Sequence, residues 1–500
     1  MNATPQGPTN RSSLKSERAF LVFVLLFFLF PDVGSTLQWD DVQKELKKID
    51  LGVPGRLRWE YWSGLEGQPN DQSDYNFLNL RLRPYVKYPG KHFVFFFQFQ
   101  YAGAFNLPEN AVSGPGSLYF GLSTPEIAPQ ATDVLEFWMM GKDLLVNGLG
   151  FEVGRLGITD GEETLYEDKT LNWIKKARLS ERLLGTFDWP NVGRRYHAVR
   201  GFYDTERCRV DAIASKLLAG GFEYNTAFSE LKDVDIFGGF MTLKDHFLID
   251  HTEIRIFGIY FRDDRDVAKS VTGGTLDIPA MGASWTGAYT GFGPGTIDTL
   301  VWGCYEWGDW GVTGHSAYAV IGEVGYKFQE VRLQPWLRIG VAHASGDDDP
   351  EEGTHKSFFG MAPTNHKYYG YMDTTAFSNL VNFYQQLIVK PAEKVLVQMD
   401  GHIFWLHDTH DSWYAGSGAT RNDVFGYTGG FNATSGTTAR LTGGEGFIGS
   451  ELDLTAKYEA SRHVGFEATY GHFFGAAGAR AVFPENGHGN WLSITALVTF

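Results

Sequence analysis

A hydrophobic period of two, held over segments of 8 to 11 residues, constrains this chain more than any other feature. Successive side chains of a strand point to opposite faces, so such segments read as strands with one apolar and one polar side. Phe93, Phe95, Phe97, Phe99 and Tyr101 share one face, with Gln98 and Gln100 on the other. Leu78, Leu80 and Leu82 oppose Asn79, Arg81 and Arg83. Over 331–341, Val331, Leu333, Leu337, Ile339 and Val341 oppose Arg332, Gln334, Trp336 and Arg338. The same alternation recurs over 395–405, 452–458 and 464–470. Soluble sheets use strands of about 5 to 6 residues, whereas tilted membrane strands need about 9 to 11. No helical pattern falls between these segments, which excludes a parallel βαβ arrangement and leaves an antiparallel meander.

The first residues carry a different signal. Arg11, Lys15 and Arg18 precede the uncharged run Ala19 to Phe30, and Pro31 and the small residues Gly34 and Ser35 follow it. That is the layout of a secretory signal peptide. The run is 12 residues long, a rise of about 18 Å as a helix, which is too short to span a bilayer. The expected division is a signal peptide over 1–35, a polar or amphipathic leader over 36–55, and a single barrel domain over 56–500.

Composition supports strands with one wet face. Aromatic residues make up 15% of the chain and glycines number 60, while mean hydropathy is only −0.22. The formal net charge of −16 argues against nucleic-acid binding. Cys208 and Cys304 are the only cysteines; they allow one disulfide in an oxidising compartment and no zinc spacing.

The last residues, Trp491 to Phe500, form one more alternating strand ending on a terminal Phe. This resembles the assembly signal of bacterial outer-membrane barrels. The expected fold is therefore all-β, a transmembrane antiparallel β-barrel in the cell outer membrane, surrounded by outer-membrane lipid. At roughly 25 to 28 residues per strand and connection, it holds about 16 to 18 strands. Gly- and Asp-rich stretches at 273–311, 345–372 and 414–445 read as long extracellular or pore-folded loops.

A barrel of this size encloses water, and inward charges line the conduit. Alternation points Arg58, Arg81, Arg83, Arg332, Arg338 and Lys457 inward, together with Asp400, Asp453, Glu459 and Glu467. Arginine stays charged at every working pH and grips carboxylates bidentately. As a set these residues favour the passage of anions; singly, each could equally belong to an internal salt bridge.

Two stretches are unusually dense in Gly, Arg, Trp and Asn. The first holds Gly154-Arg155, then Arg182-Leu183, Trp189, Asn191, Gly193-Arg194-Arg195 and Ala198-Val199-Arg200. The second holds Ser345-Gly346-Asp347-Asp348-Asp349-Pro350 and Pro363-Thr364-Asn365-His366-Lys367-Tyr368-Tyr369-Gly370-Tyr371-Met372-Asp373. With His407-Asp408-Thr409 and Asp411-Ser412-Trp413-Tyr414, these motifs resemble the bacterial alginate export family of outer-membrane porins. The resemblance runs from about Leu57 to Phe500. It implies a channel, not an enzyme, that passes an anionic polysaccharide, served by periplasmic export components and acting as a monomeric barrel. Carried over residue by residue, it adds Arg155, Arg194, Arg195 and Arg200 to the conduit, with Arg338 again.

The run Asp347, Asp348, Asp349, Glu351 and Glu352 offers two readings. One is an acidic loop that gates the pore through lumen arginines; the other is a Ca²⁺ site, although the spacing is not that of an EF-hand. No other cofactor is expected. A general diffusion porin for small anionic organic solutes is the alternative within transport. A barrel-embedded lipid hydrolase is the alternative of another class, but no serine stands in a nucleophile elbow.

Overall fold

The computed structural model describes residues 47–122, 126–225, 227–351, 353–416, 419–421, 423–426 and 439–500. The expected signal peptide lies outside the described residues. Of the leader, residues 50–52 already pair in the sheet, Leu51 lying opposite Val86.

Eighteen antiparallel strands close into one barrel. In chain order they begin with β1 (Asp50–Gly52 continued by Gly55–Glu66), β2 (Tyr75–Leu82 continued by Tyr85–Pro89) and β3 (Phe93–Phe105). Next come β4 (Gln130–Lys142), β5 (Leu149–Leu156), β6 (Tyr196–Asp204), β7 (Cys208–Leu218) and β8 (Glu230–Leu243). The wall continues with β9 (Thr252–Asp263), β10 (Leu276–Thr290), β11 (Gly295–Trp310), β12 (Thr313–Phe328) and β13 (Trp336–Ala344). It ends with β14 (Leu380–Ala392), β15 (Val395–Trp405), β16 (Phe447–Ser461), β17 (Val464–Gly475) and β18 (Asn486–Val498). Closure is made by β1 on β18, from Gly55 opposite Val498 up to Glu66 opposite Asn486. Pro54 and Pro84 interrupt β1 and β2 because proline has no N–H for the ladder. Their carbonyls still accept, from Arg83 N at 2.8 Å and Phe99 N at 3.0 Å.

The apolar face of each strand is turned outward. Phe137, Met281 and Val301 are 63, 59 and 56% exposed, which in water would be costly and against lipid is favourable. Connections at one end, such as 205–207, 291–294 and 462–463, are short; those at the other, 157–195, 345–379 and 406–446, are long. Short turns mark the periplasmic end. The stretch 273–311, expected as a loop, is instead mostly the hairpin β10–β11. Its glycines are strand glycines: a Cβ on Gly282 would meet the Phe257 ring at 2.3 Å.

Among the loops that fold into the lumen from the extracellular side, two are joined to each other. Residues 157–195 bring in Leu171, Ile174, Leu183 and Leu184, and residues 345–379 bring in Phe358, Phe359, Met361 and Ala362, all fully buried. The two loops are hydrogen-bonded to each other through backbone. Ala362 N donates to Leu183 O at 2.9 Å, Gly185 N to Ala362 O at 2.8 Å, and Thr364 N to Glu181 O at 3.0 Å. Ion pairs fasten the first loop to the wall: Lys175 to Glu253 at 2.5 Å, Arg178 to Glu323 at 3.0 Å, and Glu163 to Arg255 at 2.7 Å.

Candidate functional site: an arginine-lined conduit

The candidate conduit is organised around residues 188–192 of the first loop. Arg58 faces the lumen because β1 alternates Arg56, Arg58, Glu60 and Trp62 inward against the half-exposed Leu57. On β2 the same parity brings in Asn79, Arg81 and Arg83. Their guanidinium groups converge on loop carbonyls. Arg56 donates to Pro190 O at 3.0 Å, Arg58 to Trp189 O at 3.0 Å, and Arg81 to Asp188 O at 2.8 Å. Arg83 and Arg195 pair with the Asp188 carboxylate at 2.7 and 3.2 Å, and Arg195 also with Glu136 at 2.8 Å. Burial alone would raise the Asp188 carboxyl. The guanidinium groups of Arg195, Arg83 and Arg81 outweigh that and hold it well below the usual carboxylate range.

Charge does not balance here. Arg58 is paired with Glu60 at 2.8 Å. Arg56 and Arg81 make no ion pair among the described residues; their partners are neutral oxygens. Carbonyls satisfy N–H donors without cancelling the charge, so the lumen keeps a surplus of positive charge at this level.

Gly193 makes the cluster geometrically feasible. Its φ is +80°, and a Cβ there would stand 2.4 Å from Asp188 Oδ1 and 3.1 Å from Arg83 Nη2. Asn191 locks the same turn, its amide donating to Leu80 O at 3.0 Å, Gly103 O at 3.1 Å and Tyr224 Oη at 3.0 Å. These are the physical roles of the Asn and Gly in the first motif.

Two cavities flank the turn. The periplasmic-side one, about 380 Å³, is lined by Arg56, Arg58, Arg81, Asp188, His366 and Lys457. The extracellular-side one, about 130 Å³, is lined by Phe187, Arg194 and Phe222 among others. Trp189, Tyr371 and Trp491 belong to both. Trp189 is held on one side by Arg58, whose guanidinium carbon lies 4.6 Å from the ring centroid, and His366 of the second loop stacks on it at 3.8 Å.

The expected conduit residues thus divide. Arg58, Arg81, Arg83, Arg195 and Lys457 lie around one cavity system, with Lys457 bonded to Glu467 at 2.8 Å. Arg194 reaches the upper cavity and donates to Pro363 O at 3.3 Å. Arg200 faces the lumen elsewhere, paired with Glu152 at 3.2 Å. Arg338 is spent in the wall between Asp298 and Glu323, its side chain 1% exposed. Two residues stand outside the lumen. Arg155 is on the outer face with Val153 and Val199, its Nε 3.3 Å from His197 Nε2. Arg332 is exposed in the turn before β13, where Leu333 and Gln334 have φ of 71° and 44°. The sequence assigns no role to Arg56, Asp188, Trp189 and His366. Arg56 was legible as the inward neighbour of Arg58 by parity; Asp188, Trp189 and His366 lay within the motifs without an assigned role.

The acidic run has local partners instead of lumen arginines. Asp347 is buried and accepts from Asp349 N at 3.1 Å and Lys356 N at 3.3 Å, and Asp348 pairs with Lys356. Asp349 and Glu351 stay near the extracellular rim, and Glu352 lies outside the described residues. Among the described residues no three His, Cys, Asp or Glu side chains gather to hold a metal ion. Cys208 and Cys304 do not pair; both are free.

The chain resembles solved outer-membrane proteins of Pseudomonas aeruginosa at the level of fold. For OpdK, identity is 9% and the TM-score 0.53, with 90% of this chain and 99% of that chain covered. For OccK9 (OpdG) the values are 9%, 0.58, 91% and 98%. For OccK2 (OpdF), solved in complex with glucuronate, they are 7%, 0.54, 91% and 98%. No curated protein matches the chain in sequence. The model of the family described as "Alginate export" matches residues 48–491, nearly the whole chain. A closed barrel with an arginine-lined, loop-filled lumen accords with that match, and the chain is an outer-membrane channel that belongs to the alginate export family.

Proposed function

We propose that this channel passes an anionic polysaccharide of the uronate type across the outer membrane. The observation that carries the reading is the pair Arg56 and Arg81, whose charges face the lower cavity bound only to neutral oxygens. A polymer carrying one carboxylate per ring could step between such groups, held by none of them tightly enough to stall. The family's description as alginate export supports the same solute class. The glucuronate complex of the structurally similar OccK2 shows that a barrel of this fold accommodates a uronate.

One observation favours the second reading, a porin for small carboxylates. The two loops meet at Trp189 and His366, whose stacked rings lie 3.8 Å apart and leave no gap between the loops at that point. OpdK has been solved with vanillate, a small solute.

Planar-bilayer conductance separates the two. An export channel shows anion-selective current that uronate oligomers block increasingly as they lengthen. Block by monomers and longer chains alike, at equal carboxylate concentration, would assign the channel to small solutes.

A further inference from the structure

The upper cavity differs from the lower one in chemistry. Its walls are largely apolar, with Phe187, Trp189, Phe222, Tyr371 and Trp491 among them; Arg194 and Arg440 contribute guanidinium groups, and Asp373, bonded to His366, a carboxylate. Its volume of about 130 Å³ is close to the roughly 150 Å³ of an apolar cavity that holds a single benzene ring. The aromatic rings do not stack flat upon one another. Trp189 meets Phe222 at 66° and Trp491 at 63°, with centroids 5.8 and 6.0 Å apart, so they form a corner instead of a closed pile.

We infer that this corner seats one pyranose ring of the solute, and that it makes the channel select sugar uronates over carboxylates without rings. This rests on the uronate reading above and refines it. A pyranose presents an apolar C–H face to an aromatic wall and polar groups at its edge. Sites for such ligands are mostly apolar, with a few placed polar groups that fix orientation. Arg194 supplies that group: it is tethered to Pro363 O at 3.3 Å and makes no ion pair among the described residues. Continuity with the arginine cluster comes from Trp189, Tyr371 and Trp491, which wall both cavities. A ring leaving the corner therefore places its carboxylate beside Arg58, whose guanidinium covers Trp189 at 4.6 Å. Loop residue Phe222 is the wall member best suited to test this, because it lies outside the barrel strands.

The test compares blocking concentrations of an oligouronate and an oligoglutamate of equal charge on the same channel in a planar bilayer. The full-length protein should be blocked by the oligouronate at about tenfold lower concentration, which corresponds to roughly 1.4 kcal/mol. Phe222→Leu should bring the ratio close to one, and Phe222→Tyr should restore it. The ratio normalises any change in gating, since both blockers meet the same open channel. Equal block in the unmutated protein, or a ratio that Phe222→Leu leaves intact, overturns the ring seat while leaving the uronate channel standing. Absence of both anion selectivity and uronate block overturns the channel reading itself, and the ring seat with it.

Discussion

Trp189 and His366 stack with ring centroids 3.8 Å apart and planes inclined by 27°, joining the two loops that enter the lumen from different parts of the chain. His366 is fixed in turn by Asp373, 2.8 Å from its Nδ1. An aromatic pair of this kind contributes about 1 kcal/mol. His366→Ala should therefore shift any open–closed equilibrium of the loops roughly fivefold towards open. Single-channel recording would show longer or larger openings; an unchanged trace would mean that other contacts set the constriction.

Arg56 and Arg81 carry the unbalanced charge. Converting each to Gln keeps hydrogen-bonding capacity towards Asp188 O and Pro190 O but removes the charge. Reversal potentials in a salt gradient should move towards cation preference, more in the double variant than in either single one. The effect should shrink at high ionic strength, because screening lengths fall to about 3 Å at 1 M.

Arg338 should behave otherwise. It lies between Asp298 and Glu323 with its side chain 1% exposed, and Arg178 shares Glu323. Arg338→Ala leaves buried carboxylates short of a partner, a change that costs about 3 to 5 kcal/mol. Its signature is a lower temperature for the shift in gel mobility on heating, with ion selectivity retained by the channels that remain folded. A selectivity change at full thermal stability would return Arg338 to the conduit.

Gly193→Ala tests the turn. The φ of +80° disfavours a side chain, and the new methyl would meet the Asp188 carboxylate. The expected cost is about 1 kcal/mol from backbone strain alone, plus displacement of Asp188 from Arg83 and Arg195. Anion block should weaken together with thermal stability, unlike the Arg56 and Arg81 variants.

The first loop should loosen as pH rises from about 4 to 7. Burial pushes the Asp160 carboxyl up to about 7, with Arg255 only partly opposing it. Between its unfolded value and about 7, the packed loop binds the proton that the released loop gives up, so packing is strongest at the acid end and is lost as pH climbs through 7. Glu163 works the opposite way. Burial would raise it, but Arg255 holds it at about 2, so its contribution fails only below the usual carboxylate range. Protease cleavage within 157–195 should thus be faster at pH 8 than at pH 5, and Asp160→Asn should flatten that dependence.

Much of the barrel was legible from period-two alternation because lipid outside and water inside enforce opposite chemistry on neighbouring residues. Asn79, Arg81 and Arg83, and Asp453, Thr455 and Lys457, all lie on the face that alternation assigned them. Alternation misleads where the backbone leaves the strand. Alternation through Arg332 continued by coincidence across a turn with two positive φ values. At 273–311, glycines signalled a loop, yet those such as Gly282 stand in strands beside large aromatic rings that occupy their side-chain space. Arg155 was carried by its motif, and its position on the outer wall follows from strand parity next to Val153. The neutral partners of Arg56 and Arg81 are not legible in sequence, since they are main-chain oxygens and the Asn191 side-chain oxygen of a loop over a hundred residues away.

The backbone bonds between residues 181–185 and 362–364 have a mechanical consequence. Loops tied edge to edge cannot swing independently, so the obstruction is one door hung from four chain crossings rather than two leaves. Whatever moves one loop must drag the other, and a single cross-link from either loop to the barrel wall should immobilise both.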